Sequence, residues 1–180
     1  EASEFLVTEI GANAVGEIEP LARLVQPDIG ILTSLGKAHL AGFGSSEIVK
    51  REKFRLLEAV HADGVVVVPD TIDLADSEIR ATVLTVGTSL ESDIQIVVGT
   101  DNRGFAELEM DGHCVTLALM GEHNAMNTSL AVVAAREAMR RVGMQPCMHS
   151  LLDVASEMQS SSGRLRTCFK DDVTFIDDSY

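Results

Sequence analysis

The chain has 180 residues, of which 46% are hydrophobic. That is enough to bury the core of one domain and too apolar to stay disordered. Its 14 Lys and Arg stand against 28 Asp and Glu, a formal net charge of −14, so nucleic acid and anionic membrane are excluded as general partners, and a polyanionic substrate would need a cation and local positive groups to bind.

In chain order, Phe5–Thr8 reads as a buried strand leading into Gly11-Ala12-Asn13. Gly16-Glu17-Ile18 then opens a helix to about Gln26, with Pro20 tolerated in its first turn and Glu17 and Glu19 suited to its positive end. Ile29–Leu32 follows as a strand. After the glycine-rich stretch through Gly44, Ser45 or Ser46 caps a helix reaching about Val60, whose apolar positions Ile48, Val49, Leu56, Leu57 and Val60 recur at helical spacing. Val65–Val68 is a continuous apolar strand of the kind buried on both faces. Leu74–Arg80 reads as a short helix and Val83–Val86 as a further strand. Alternation of strand and helix to this point predicts a parallel sheet.

The pattern then changes. Ile94–Val98, Phe105–Met110 and Cys114–Leu119 are strands without intervening helices, and Asp111-Gly112 is a hairpin signal. Asn124–Val142, rich in Ala, with Arg136, Arg140 and Arg141 toward its end and Gly143 beyond, is the strongest helix of the chain. Met148–Met158 is another. Ser160–Gly163 reads as a linker and Thr174–Ile176 as a last strand. The expected fold is α/β, a mainly parallel sheet flanked by helices with a small antiparallel addition.

Cys114, Cys147 and Cys168 are odd in number and far apart, which fits free thiols in a reducing cytoplasm. No signal peptide stands out, and Val65–Val68 is far too short to span a bilayer. The chain opens on Glu1 and closes on an apolar strand entering a loop, so both ends read as cut from a longer protein.

Three blocks fall where a strand ends or a helix begins, the edge at which open α/β sheets bind ligands. They are Thr8–Asn13 with Glu9, Leu35–Leu40 with His39, and Val49–Phe54 with Lys53. Glu9 offers hard oxygens suited to Mg²⁺, against the plain reading as a solvated or helix-capping carboxylate. His39, next to Gly42-Phe43-Gly44, is a phosphate donor or a structural histidine. Lys53 reads either as a snorkelling surface lysine or as a cleft-facing amine. A neutral amine of that kind adds carbon dioxide to become a carbamate, an anionic oxygen ligand. Lys37 and Lys50 compete for any phosphate contact.

Asn124 and Asn127 lie three apart on the first turn of a helix, hence on one face. An Asn amide matches the N6 and N7 edge of adenine, although plain N-capping by Asn124 accounts for the pattern as well. Arg164 can clamp a phosphate and Asp178 can accept from a ribose hydroxyl. A phosphate loop, G-x-x-x-x-G-K-[ST], is not met. Gly30 to Gly36-Lys37-Ala38 has five intervening residues and no hydroxyl at Ala38.

Taken together, Thr8–Ile18, Ala38–Ser45, Gly-x-His-Asn-x-x-Asn (Gly121–Asn127), Gly163-Arg164-Leu165 and Asp177-Asp178-Ser179-Tyr180 resemble the Mur ligase family over nearly the whole chain. Within it they are most similar to the members that add D-alanyl-D-alanine. The resemblance implies the central ATP-binding domain over residues 1–160, lacking its phosphate loop, then a linker and the start of a C-terminal domain over 161–180. It implies Glu9 and His39 on Mg²⁺, with Lys53 as a carbamate completing the metal set. Lys53 lies 53 − 39 = 14 positions beyond His39, the register the family calls for. It further implies Asn124 and Asn127 on the adenine of ATP, Arg164 on its phosphates and Asp178 on its ribose.

The implied reaction is ATP-dependent amide ligation in peptidoglycan precursor synthesis, joining D-alanyl-D-alanine to UDP-N-acetylmuramoyl-tripeptide in the cytoplasm, with this chain alone inactive. Another ligase of the superfamily, acting on folate, cyanophycin or a different amine, is one competing reading. A non-catalytic nucleotide-binding module is the other.

Overall fold

A computed structural model describes residues 5–35, 45–160, 166–170 and 173–177. Its elements are α1 (Ile18–Val25), β1 (Ile29–Ile31), α2 (Ser46–Glu58), β2 (Val65–Pro69), β3 (Thr82–Gly87), β4 (Ile94–Thr100), β5 (Phe105–Met110), β6 (His113–Met120), α3 (Glu122–Arg141), α4 (Met148–Ser156), β7 (Arg166–Lys170) and β8 (Val173–Asp177). Strands β1 to β6 form one sheet in sequential order. The first four pair in parallel and β4, β5 and β6 pair antiparallel. β7 and β8 form a separate antiparallel pair.

Strand β2 explains why the sheet carries helices on both faces. Val66 and Val68 pack into a cluster with Phe54, Leu57 and Val60 of the α2 side. Val67, between them, belongs to a second cluster with Leu130 and Val133 of α3 and Leu152 of α4. All three valines are fully buried. Alternation along a strand sends neighbours to opposite faces, so an unbroken apolar run needs cover on each. The antiparallel part is closed by Asp111-Gly112, with φ +55° and +73°. Positive φ at both central positions is what a two-residue hairpin matching the strand twist requires.

The long helix fixes the direction of everything else. Gly121 N–H donates to the Gly104 carbonyl at 2.9 Å, holding the start of α3 beside the turn that follows β4. At the other end Arg141 bonds Asp28 Oδ1 at 3.0 Å and the Asp63 carbonyl at 2.7 Å, just before β1 and β2 begin. Helix α3 therefore runs antiparallel to β1–β4, from the carboxyl end of β4 to the amino ends of β1 and β2.

Three expectations change. Phe5–Thr8 is not a strand: it lies exposed, with Leu6 82% and Val7 94% accessible. An apolar run becomes a strand only where a neighbour completes its hydrogen-bond ladder, and among the described residues β1 pairs with β2 alone. Leu74–Arg80 is a turn, not a helix. Asp73 Oδ1 accepts from Ala75 N–H, and both N–H and Oγ of Ser77 donate to the Leu74 carbonyl. These local side-chain bonds compete with helix propagation. Finally, β7 is a strand the sequence reading did not anticipate. Most of the linker assigned to 160–163 lies outside the described residues.

Candidate functional site

The carboxyl edge of the parallel strands is where the motifs meet the fold. Helix α2 begins cleanly because Ser45 Oγ accepts from Ile48 N–H at 3.3 Å. Lys53 lies in its second turn, half-buried, and its Nζ donates to the Ser34 carbonyl at 2.8 Å. Ser34 follows β1 by three residues, so Lys53 is fastened at the carboxyl edge and is not a freely snorkelling lysine. Desolvation by burial holds its ammonium below the ordinary lysine value. Lys50, one turn earlier, pairs with Asp76 at 3.5 Å and sits over the Phe54 ring.

Asn124 and Asn127 occupy the first turns of α3, beside the turn that follows β4. Gly121 is the helix cap, with φ +85°, so Asn124 is not capping the helix. Its Nδ2 donates to the Met120 carbonyl at 2.7 Å. That bond uses one Nδ2 hydrogen and leaves Oδ1 and the second N–H for a ligand, whereas Asn127 is exposed. Helices α2 and α3 cover opposite faces of the sheet, so Lys53 and the asparagine pair approach it from different sides.

Glu9 is exposed and makes no hydrogen bond or ion pair with another described residue. His39, Lys37, Arg164 and Asp178 lie outside the described residues. Among the described residues no three His, Cys, Asp or Glu side chains gather as a metal centre. The chemistry of the donor set suits Mg²⁺: a carboxylate such as Glu9 supplies hard oxygens, and an amine whose ammonium is disfavoured by burial, as at Lys53, could supply them as a carbamate. No described helix is long and apolar enough to cross a membrane.

Two features escaped the sequence reading. Glu52 is buried, at 6% accessible, and its Oε1 accepts from Gly16 N–H at 2.9 Å and Ile18 N–H at 3.0 Å. The signal was there: Glu52 is three residues from Val49, on the apolar stripe of the helix, where a charge must find partners. Asp70, directly after β2, accepts from Ser89 N–H at 3.0 Å and Ser92 Oγ at 2.9 Å, tying the ends of β2 and β3 together.

The sheet order and the helices on its two faces define an open α/β domain. The profile of the Mur ligase middle domain matches residues 1–135. The chain belongs to the Mur ligase family. It is 28% identical over 136 residues to the UDP-N-acetylmuramoyl-tripeptide–D-alanyl-D-alanine ligase of Bacillus subtilis, covering 74% of this chain and 30% of that protein. The Mycobacterium bovis ligase of the same name is 29% identical over 191 residues, covering 99% of this chain and 36% of that one. The crystal structure of MurF from Acinetobacter baumannii superposes with a TM-score of 0.78 at 27% identity, over 95% of this chain and 38% of that chain. The chain thus spans about a third of the length of these relatives.

Proposed function

We propose that this chain is the central ATP-binding part of an ATP-dependent amide ligase that joins D-alanyl-D-alanine to UDP-N-acetylmuramoyl-tripeptide in the cytoplasm. In this reading residues 1–160 form the ATP-binding domain and 161–180 lead into the amine-binding one. The observation that carries it is the half-buried Lys53 amine fastened to the carbonyl of Ser34, just past the carboxyl end of β1.

The substrate carboxylate attacks the γ-phosphate of ATP, giving an acyl phosphate and ADP. The dipeptide amine then attacks the acyl carbon and phosphate leaves. Two anions must meet for the first step, and a protein of net charge −14 cannot neutralise them by its general surface. Glu9, His39 and a carbamate on Lys53 would hold Mg²⁺, which offsets that repulsion and the charge on the transferring group. Desolvation at Lys53 supports the carbamate, since only the neutral amine adds carbon dioxide. The Asn124 oxygen and the Asn127 amide address the adenine, with Arg164 on the phosphates and Asp178 on the ribose.

The test is phosphate release by the full-length protein carrying this chain. Release should require ATP, UDP-N-acetylmuramoyl-tripeptide and D-alanyl-D-alanine together. Equal release with a single amino acid, or with a folate in place of the tripeptide, would reject this reading in favour of another ligase. No release with any acceptor alongside tight ATP binding would favour a nucleotide-binding module.

A further inference from the structure

We propose that Glu52 is a positioning residue that clamps the segment carrying Glu9 to the helix carrying Lys53, and so sets how the two sides of the cation site face one another. The inference rests on the functional reading above. Three consecutive residues of α2 go three ways: Glu52 to the start of α1, Lys53 to the carbonyl after β1, and Phe54, 2% accessible, into the core. Glu52 is buried and spends one oxygen on two backbone amides that lie 34 and 36 residues away in sequence. No step of the ligation uses it.

The segment it grips is already closed on itself. Asn13 N–H and Ala14 N–H both donate to Glu17 Oε2, at 2.8 and 3.2 Å. That turn therefore moves as a unit, and Glu52 decides where the unit sits against α2. Glu9 lies seven residues before Gly16 on the same stretch of chain. Phe5–Thr8, on the far side of Glu9, is exposed and held by no strand partner among the described residues. Among the described residues, the Glu52 clamp is the side-chain tether nearest to Glu9 that ties this stretch to the body of the domain. A carboxylate suits the task because an ionised acceptor takes two N–H donors at once and favours the positive end of a helix.

The experiment is a Mg²⁺ titration of phosphate release by the full-length protein, with hydrogen exchange at the Gly16 and Ile18 amides read in parallel. Glu52→Ala should raise the Mg²⁺ needed for half-maximal rate by about tenfold, the scale seen when a group supporting a metal ligand is removed. The rate at saturating Mg²⁺ should fall no more than about twofold, and the two amides should lose protection. Glu52→Gln keeps an acceptor of the same reach and should fall between. A folded Glu52→Ala protein with wild-type Mg²⁺ dependence overturns the proposal, because a merely structural role would lower the melting temperature and leave that dependence alone. Should the alanine variant not fold, unchanged Mg²⁺ dependence in Glu52→Gln overturns it equally. A wild-type protein without any Mg²⁺-dependent release takes down the functional reading and this inference together, an outcome distinct from a silent variant in an active background.

Discussion

Lys53 Nζ donates to the carbonyl of Ser34 at 2.8 Å, so a side chain in the second turn of α2 is fastened to the chain three residues beyond β1. A surface lysine gains nothing by giving up water for one carbonyl. Here the partial burial of the stem and the fixed position of the head go together, and the ammonium is disfavoured as a result.

Replacing Lys53 by Ala in the full-length protein should lower ligation about a hundredfold or more, the order seen when a group that stabilises transition-state charge is lost. Because carbon dioxide adds to the neutral amine, and burial lowers the pH at which that form appears, carbamate formation should increase with pH at values below those of an ordinary lysine. Carbon-13 NMR after exposure to labelled bicarbonate reads this directly. A carbamate resonance that persists in Lys53→Ala, or wild-type rates in that variant, would remove Lys53 from the site.

Gly87 and Asp70 make a contact that no side chain at 87 can share. A Cβ on Gly87 would lie 1.8 Å from Asp70 Cγ and about as close to both its oxygens. Gly87→Ala should therefore push Asp70 off Ser89 N–H and Ser92 Oγ and cost about 1–3 kcal/mol, as overpacking does. In Asp70→Gly the obstruction is gone, so the same alanine should cost far less. Denaturation of both single variants and the double variant gives the coupling, and simple additivity would show that the two residues do not meet.

How much of this was legible follows from where each signal resides. The valine run of β2 declares cover on both faces because burial acts on every residue of it, and Asp111-Gly112 declares its hairpin because few residues tolerate two positive φ angles. Lys53 was singled out by its spacing from His39, but its bond to a backbone carbonyl has no sequence signature, since every residue has a carbonyl. Phe5–Thr8 reads as a strand from composition alone, yet strand formation depends on a neighbour that the run itself does not encode. Glu52 was visible as a charge on an apolar stripe, while its partners, more than 30 residues away, were fixed only by the packing of α1 on α2.

Asp93 predicts an acid-dependent part of stability. Its carboxylate accepts from Thr85 N–H at 2.8 Å and from Thr85 Oγ1 at 2.7 Å, and these bonds, the backbone one foremost, hold it below the usual aspartate range. A depressed carboxylate value means stability that is present above the unfolded-state value and is lost as pH falls through the lower folded-state value. The difference in melting temperature between wild type and Asp93→Asn should be constant near neutrality, begin to shrink as pH drops below about 4 and close in stronger acid. A gap that stays the same down to the acid transition would mean that the bond to Thr85 does not depend on charge.

The asparagine pair separates binding from folding. Asn124 spends its Nδ2 on the Met120 carbonyl, so its removal frees a helix-start contact as well as any ligand contact. Asn127 is exposed and has no such second duty. Asn127→Ala should weaken ADP binding about tenfold, near 1.4 kcal/mol, and leave the melting temperature within the range of a neutral surface change. Asn124→Ala should weaken ADP binding similarly and also cost about 1 kcal/mol of stability for the lost bond. If the proposed adenine contact holds, both should erode a preference for ATP over GTP, because guanine would present an acceptor where adenine would present its N6 donors to the Asn124 oxygen. Calorimetry with ADP and GDP on the full-length protein measures all of this. Unchanged base preference in both variants would move the adenine elsewhere along the carboxyl edge, whatever happened to overall affinity.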